Sequence, residues 1–248
     1  SVLRDIAVTE PNGAVIAQFN SGYDLYLANK WGGYRDSIGS DARQSPIYTS
    51  GATVGDFAFM LRIPIELNLR DALGSLPNQN AAATFKLRMA LQSGAASSGV
   101  WGSTVPTTQP NVRVQVYLEA WDQPEVSSAG QTNQVTPPAM NTTQFWSTQI
   151  FNVNAGAQTI RLTRVGNYLR NLILVLRRSA GTRANGDADF PDPVSLYLDT
   201  RPLDVFTKGM WRHTMFERSG FGGRAAAGVL TAAVANDTAG GLDNGVFA

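Results

Sequence analysis

Several stretches of the chain alternate apolar and polar side chains with a period of two, and this constrains the fold more than any other feature. Residues 83–91 set Phe85, Leu87, Met89 and Leu91 against Lys86, Arg88 and Ala90. Residues 112–120 set Val112, Val114, Val116 and Leu118 against Arg113, Gln115, Tyr117 and Glu119. Successive side chains of a strand point to opposite faces, so such rows predict one core face and one solvent face. Residues 159–163 and 194–198 repeat the pattern in shorter form, and 57–67 is a longer β-rich run in which Pro64 marks an edge or a bulge. Helical signals are fewer. One helix is expected over 204–218, with Asp204 near its start and Gly220 beyond its end, and a short turn of helix at 70–73.

Long polar connections separate these segments. Residues 94–110 and 123–143 are rich in Ser, Thr, Gln, Gly and Pro, and the second carries Pro124, Pro137 and Pro138. Alternating strands joined by long loops favour an antiparallel sandwich or jelly roll over a parallel α/β sheet. Proline-rich polar chain is also the expected form of an interdomain linker.

A faint internal repeat divides the chain further. Leu3-Arg-Asp-Ile6 resembles Leu169-Arg-Asn-Leu172, and each opens an apolar segment. Downstream, Asp24-Leu-Tyr26 is followed by Trp31, and Asp204-Val-Phe206 by Trp211, so both copies read Asp-aliphatic-aromatic-x4-Trp. The interval between the two signals is longer in the second copy, which holds a Gly- and Asp-rich stretch at 179–193. Repetition of an ordered pair of signals predicts two similar domains in tandem. The expected architecture is all-β: a first eight-stranded jelly roll over 1–123, a linker over 124–143 and a second jelly roll over 144–248, with short helices. Asp24, Trp31, Asp204 and Trp211 are the expected repeat-equivalent positions. The stretch after Trp211 is mostly Gly, Ala, Asn and Asp. The expectation is therefore a chain lacking a first strand before Leu3 and closing strands after Ala248.

Chemistry is sparsely represented. The chain has no cysteine, which removes disulfide scaffolds, thiolate zinc sites and thiol nucleophiles, and its one histidine removes His-rich metal sites. That residue, His213, has no Gly-x-Ser-x-Gly elbow to serve and reads as structural. Asn185, Asp187, Asp189 and Asp192 alternate like the start of a calcium loop, but the sixth and twelfth positions hold Phe190 and Leu196 where Gly and Glu are needed. Asp187, Asp189 and Asp192 thus form only a weak candidate loop, and ordinary Asx turns explain it better. The glycines at 220–223 precede Arg224 without a Gly-Lys-Ser/Thr, so they fail as a phosphate loop and read as a hinge or turn. Glu66, Glu119, Asp122 and Glu125 are the acidic residues among which a glycosidase-like pair would be sought, and nothing in the sequence selects two of them. Trp101, Trp121 and Trp146 have the chemistry of a sugar-stacking platform, although aromatic residues in sandwiches usually anchor cores and interfaces. Asn141 and Asn236 begin sequon matches of little weight without a visible secretory signal. No run approaches the roughly 18 apolar residues of a membrane span; the longest aliphatic run is 172–176.

Charged residues are 16% of the chain, below the roughly 25% usual in soluble domains, and the formal net charge is +1. So small a charge argues against direct nucleic-acid binding through a basic patch. A charge-poor surface meets water through Ser, Thr, Asn, Gln and Gly, or is hidden in an assembly.

Val194-Ser-Leu-Tyr-Leu-Asp-Thr-Arg-Pro-Leu-Asp204 running on to Trp211, with the apolar 168–178 segment before it, resembles the strand-then-helix segment of double jelly-roll major capsid proteins. Leu61-Arg-Ile-Pro-Ile-Glu-Leu-Asn-Leu-Arg-Asp-Ala-Leu73 is similar to the strand and short helix that follow the first roll's variable loop in that family. The family builds tailless icosahedral viruses with an internal membrane, such as tectiviruses and corticoviruses, and shares its fold with adenovirus hexon. The resemblance is one of element order from Leu3 to Phe221, and it departs from the pattern where closing strands should follow Ala248. It implies a homotrimer of tandem jelly rolls forming a pseudo-hexagonal capsomer. Neighbouring capsomers, minor capsid or vertex proteins and the viral membrane are the implied partners, and the virion, assembled in the host cytoplasm, is the implied location. It implies no catalysis and no cofactor. The alternative expectation from the residues is a β-sandwich surface protein that binds carbohydrate.

Overall fold

A computed structural model describes residues 3–32, 47–50, 55–58, 60–67, 74, 76, 84–92, 111–120, 144–162, 166, 168–177, 191–219 and 246–247. Among them strands outnumber helices, and every strand pair is antiparallel. The chain forms two compact units: Ser1–Asn29 with Leu61–Ile160, and Lys30–Met60 with Arg161–Ala248. The expected linker over 124–143 lies outside the described residues, as do the connection at 94–110 and the short helix expected at 70–73.

The first unit is built on a three-stranded sheet. Strand β1 (Leu3–Thr9) lies between β2 (Val15–Ser21) and β5 (Lys86–Leu91). The β1–β2 connection is closed by local bonds. Glu10 N–H donates to the Ala14 carbonyl at 2.8 Å, Gly13 N–H to the Glu10 carbonyl at 2.9 Å, and Ala14 N–H to Asn12 Oδ1 at 2.9 Å. Gly13 has φ +91°, a backbone conformation that costs glycine nothing and other residues strain.

Strand β1 is not a plain alternating strand. Arg4 faces Ala90 and Ala7 faces Arg88, so three steps on β1 oppose two on β5. Asp5 sits at this bulge with φ +51°. The extra residue moves the buried row from Leu3 to Ile6 and Val8, leaving Arg4 and Asp5 both exposed. Ile6, 2% exposed, joins Leu3, Val8, Ile16, Ala17 and Phe19 as the sheet's buried side chains. Burying an aliphatic side chain of this size contributes roughly 1.5–3 kcal/mol.

Helix α1 (Gly22–Trp31) follows β2 directly and was not anticipated from the sequence. Ser21 is its cap: Asp24 N–H donates to Ser21 Oγ at 3.2 Å. Asp24 in the first turn and Lys30 in the last complement the helix dipole. Leu25, Tyr26, Leu27 and Ala28 are buried in succession. A helix buried on all sides shows no amphipathic period, so the sequence concealed it.

In the second unit, β3 (Ile47–Ser50) pairs with β4 (Gly55–Ala58), and β6 (Leu174–Val175) pairs with β9 (Val246–Phe247). The third pair is the hairpin of β7 (Val194–Leu198) and β8 (Arg201–Phe206), which runs into α2 (Lys208–Ser219). Its turn holds Asp199 at φ +53°, the left-handed conformation that tight hairpin turns require. At the other end of the hairpin, Phe206 and Trp211 pack with ring centroids 5.2 Å apart, and Trp211 is buried. The carbonyl of Trp31, the last residue of α1, accepts from Asn171 Nδ2 at 2.9 Å, and Lys30 Nζ lies 5.1 Å from the Trp31 ring centroid.

Several expectations are revised. The strand expected over 194–198 is β7 with those bounds, and that over 83–91 is β5, beginning at Lys86. The helix expected from Asp204 instead begins at Lys208. Val205 and Phe206 are good strand formers that pair with Ser195 and Val194, and Thr207 takes the cap, with Met210 N–H donating to Thr207 Oγ1 at 3.4 Å. The β-rich run over 57–67 breaks: β4 ends at Ala58, and 60–67, with Pro64 buried, is unpaired among the described residues. Residues 112–120 and 159–162 also carry no ladder pairing among the described residues, and their apolar rows are exposed.

Candidate functional site

Among the described residues, the acidic candidates provide one cluster with an electrostatic signature, and it lies in the first unit. The segment 61–67 is held by the side-chain amide of Asn29 on α1. Asn29 Oδ1 accepts from Arg62 N–H at 2.7 Å, and Asn29 Nδ2 donates to the Arg62 carbonyl at 2.6 Å and to the Leu25 carbonyl at 2.9 Å. One side chain thus satisfies both backbone groups of Arg62, as a neighbouring strand would. Four residues on, Glu66 is half-buried. Its carboxyl is held above the ordinary carboxylate range, first by burial, then by the nearby charge of Glu119, with Arg62 opposing both.

Of the four acidic candidates, then, Glu66 and Glu119 interact, whereas Asp122 and Glu125 lie outside the described residues. A carboxyl that keeps its proton to higher pH beside an ionised one is the elementary requirement of acid–base chemistry. It is equally what two carboxylates give wherever chain packing leaves them without enough cations. Glu119 is exposed, and the apolar residues beside it, Tyr117 and Leu118, are 81% and 91% exposed. Among the described residues, Glu66 alone of the pair is partly shielded from water, whereas Glu119 is not.

Of the other candidates, those among the described residues are placed as follows. Asp192 Oδ1 accepts from Lys208 N–H at 3.1 Å and so caps α2, while Asp187 and Asp189 lie outside the described residues. Among the described residues, no group of three or more His, Asp or Glu converges as a metal site. His213 lies on α2 and is exposed. Trp146, half-buried, has its ring centroid 6.3 Å from that of Phe19 at an interplanar angle of 34°, and its buried indole N–H has no hydrogen-bond partner among the described residues. Trp101, Trp121, the sequon asparagines and the glycines at 220–223 lie outside the described residues. Thr148 Oγ1 donates to Asp24 Oδ2 at 3.5 Å, tying the 144–160 segment to the first turn of α1.

The repeat positions occupy different places in a shared local plan. Both units contain a hairpin that leads into a helix, β1–β2–α1 and β7–β8–α2, and in both a hydroxyl receives the N–H three residues on. Yet Asp24 stands in the first turn of α1 and Asp204 in β8, where its Oδ1 accepts from Val205 N–H at 2.9 Å. Trp31 ends α1, whereas Trp211 is in the first turn of α2. Matched at their caps, Ser21 and Thr207, the helices bring Trp211 opposite Leu25, and both are buried. The other half of the repeat diverges too: Leu3–Ile6 lies in β1, while 169–172 precedes β6.

The chain matches no family model, no curated protein and no solved structure. No helix among the described residues is long and apolar enough to cross a membrane.

Proposed function

We propose that the chain is a structural, self-assembling subunit: a major capsid protein made of two jelly rolls, whose homotrimers tile an icosahedral shell over an internal membrane. One observation supports this reading most. Side chains that the sequence assigns to buried rows, Val114, Val116, Leu118 and Leu198, stand in solvent in the single chain, Leu118 being 91% exposed. Ile150 at 83%, and Tyr197, Leu203 and Val205, are exposed apolar side chains as well. Isolated exposed apolar residues are ordinary, but successive ones along strand-like segments mark surfaces that partners cover. Antiparallel hairpins, a charge-poor sequence and the resemblance to the double jelly-roll family point the same way.

Catalysis is no part of this reading, and the acidic pair at Glu66 is a feature of packing. The carbohydrate-binding alternative rests on exposed tryptophan faces, and of its three tryptophans the one described, Trp146, is half-buried and lies 6.3 Å from the Phe19 ring. Native mass analysis with electron microscopy tests the proposal. Trimers that grow into closed shells uphold it. A chain that stays monomeric at high concentration and is retained on a glycan array overturns it in favour of the alternative.

A further inference from the structure

Residues 111–120 carry an exposed apolar row and no ladder pairing among the described residues. The order of their side chains has a symmetry that bears on what covers them. About Val116 as centre, Val114 mirrors Leu118, Gln115 mirrors Tyr117, and Arg113 mirrors Glu119. We infer that this segment pairs antiparallel with the same segment of a second copy, on a two-fold axis through Val116 that sets Arg113 against Glu119 of the partner subunit. The inference rests on the reading of the chain as a self-assembling subunit and assigns one of its seams.

The physical case has three parts. A two-fold contact uses the same patch on both copies, so a self-complementary charge order is what such a patch needs. In an antiparallel pair residues directly opposite share a face, so the register that joins Arg113 to Glu119 also stacks Val114 on Leu118 and Val116 on Val116 of the partner subunit. One register therefore satisfies both faces, whereas a slip by a single residue puts each copy's apolar row against the other's polar row. The surroundings add to this: Glu119 lies close enough to Glu66 to raise its carboxyl, and Arg62 only partly offsets that repulsion. An incoming guanidinium adds a second cation to Arg62 beside this acidic pair. A seam nine residues long buries less than the roughly 1,200 Å² of a stable independent dimer, so it acts beside other contacts and is weak alone.

The natural chain has no cysteine, which makes single-cysteine crosslinking clean. Under mild oxidation at high protein concentration, the Val116→Cys variant should form a disulfide-linked dimer about ten-fold faster than Leu118→Cys, whose counterpart across the axis is Val114. Adding Arg113→Glu should slow that crosslink about ten-fold, and adding Glu119→Arg to the same chain should restore it. Circular dichroism identifies any variant that fails to fold, and the restoring double replacement keeps the result independent of it. Equal rates at the two positions, or no restoration, overturn the seam. Large particles without the Val116→Cys crosslink overturn the seam alone and leave the shell standing. A crosslinked pair that never grows upholds the seam and overturns the shell.

Discussion

The amide of Asn29 grips the backbone of Arg62 from both sides, accepting its N–H at 2.7 Å and donating to its carbonyl at 2.6 Å. A side chain on α1 thereby does for 61–67 what a neighbouring strand would do, and fixes where Glu66 falls. Replacing Asn29 with Leu keeps the branched outline of the side chain and removes these two bonds together with the one to the Leu25 carbonyl. A net hydrogen bond contributes about 1 kcal/mol, so Asn29→Leu should cost about 3 kcal/mol. The check is the urea midpoint, which should fall with an unchanged slope. A midpoint within error of the natural chain would show that solvent replaces the grip without loss.

The two helix caps should differ in worth. Ser21 receives Asp24 N–H at 3.2 Å, whereas Thr207 receives Met210 N–H at a longer 3.4 Å and shares its helix start with Asp192. Ser21→Ala is expected to cost about 1 kcal/mol, and Thr207→Ala about half of that. Asp192→Ala should add to Thr207→Ala, because each caps a different N–H. Thermal unfolding of the two single variants and the double variant decides this.

Glu66 should make stability depend on pH in a direction opposite to most carboxylates. Its folded carboxyl lies above the ordinary 4.5, so the folded chain holds that proton at pH values where the unfolded chain has released it. Stability from this group is complete below the unfolded value and is lost as pH rises through the folded one. Glu66→Gln should therefore stabilise the chain at pH 7 by about 0.5 kcal/mol, the scale of a partly solvated charge, and give no gain below about pH 4. Glu119→Gln should give a smaller gain, since burial is the larger cause. Denaturant midpoints at the two pH values test it, and a Glu66→Gln gain that is equal at both would be fatal.

Ile6 and Leu118 are both branched aliphatic residues, and they should respond in opposite ways to truncation. Ile6 is 2% exposed, so Ile6→Ala is expected to cost about 3 kcal/mol in the isolated chain. Leu118→Ala, at a site 91% exposed, should change isolated-chain stability by less than about 0.5 kcal/mol and reduce association instead. Parallel unfolding and native-mass measurements separate the two effects.

What could be read from the sequence follows from how each element buries its residues. β7 and β5 were legible because alternation ran through them without interruption. α1 was hidden by four consecutive buried residues, Leu25 to Ala28, and only Ser21, Asp24 and Lys30 marked its ends. The start of α2 was misplaced because Asp204 offers a capping side chain, yet that side chain bonds Val205 within β8. Of the candidate site, the residue types were legible and the pairing was not. Glu66 and Glu119 lie far apart in sequence, and the grip of Asn29 on Arg62 has no local signature.

The bulge at Asp5 gives β1 one residue more than β5 opposes. Omit it in thought and the strand reads Leu-Arg-Ile-Ala-Val-Thr, with every large apolar side chain on one side. Loss of Asp5 would thus keep the apolar row of β1 on one side. Removal of Ala7 instead would bring Ile6 and Val8 side by side and turn one of them to water. Against β2, where Arg4 opposes Ser21 and Ile6 opposes Phe19 without a break, the loss of Asp5 would shift the register by one, so the left-handed turn at Asp5 reconciles two neighbours that count the strand differently.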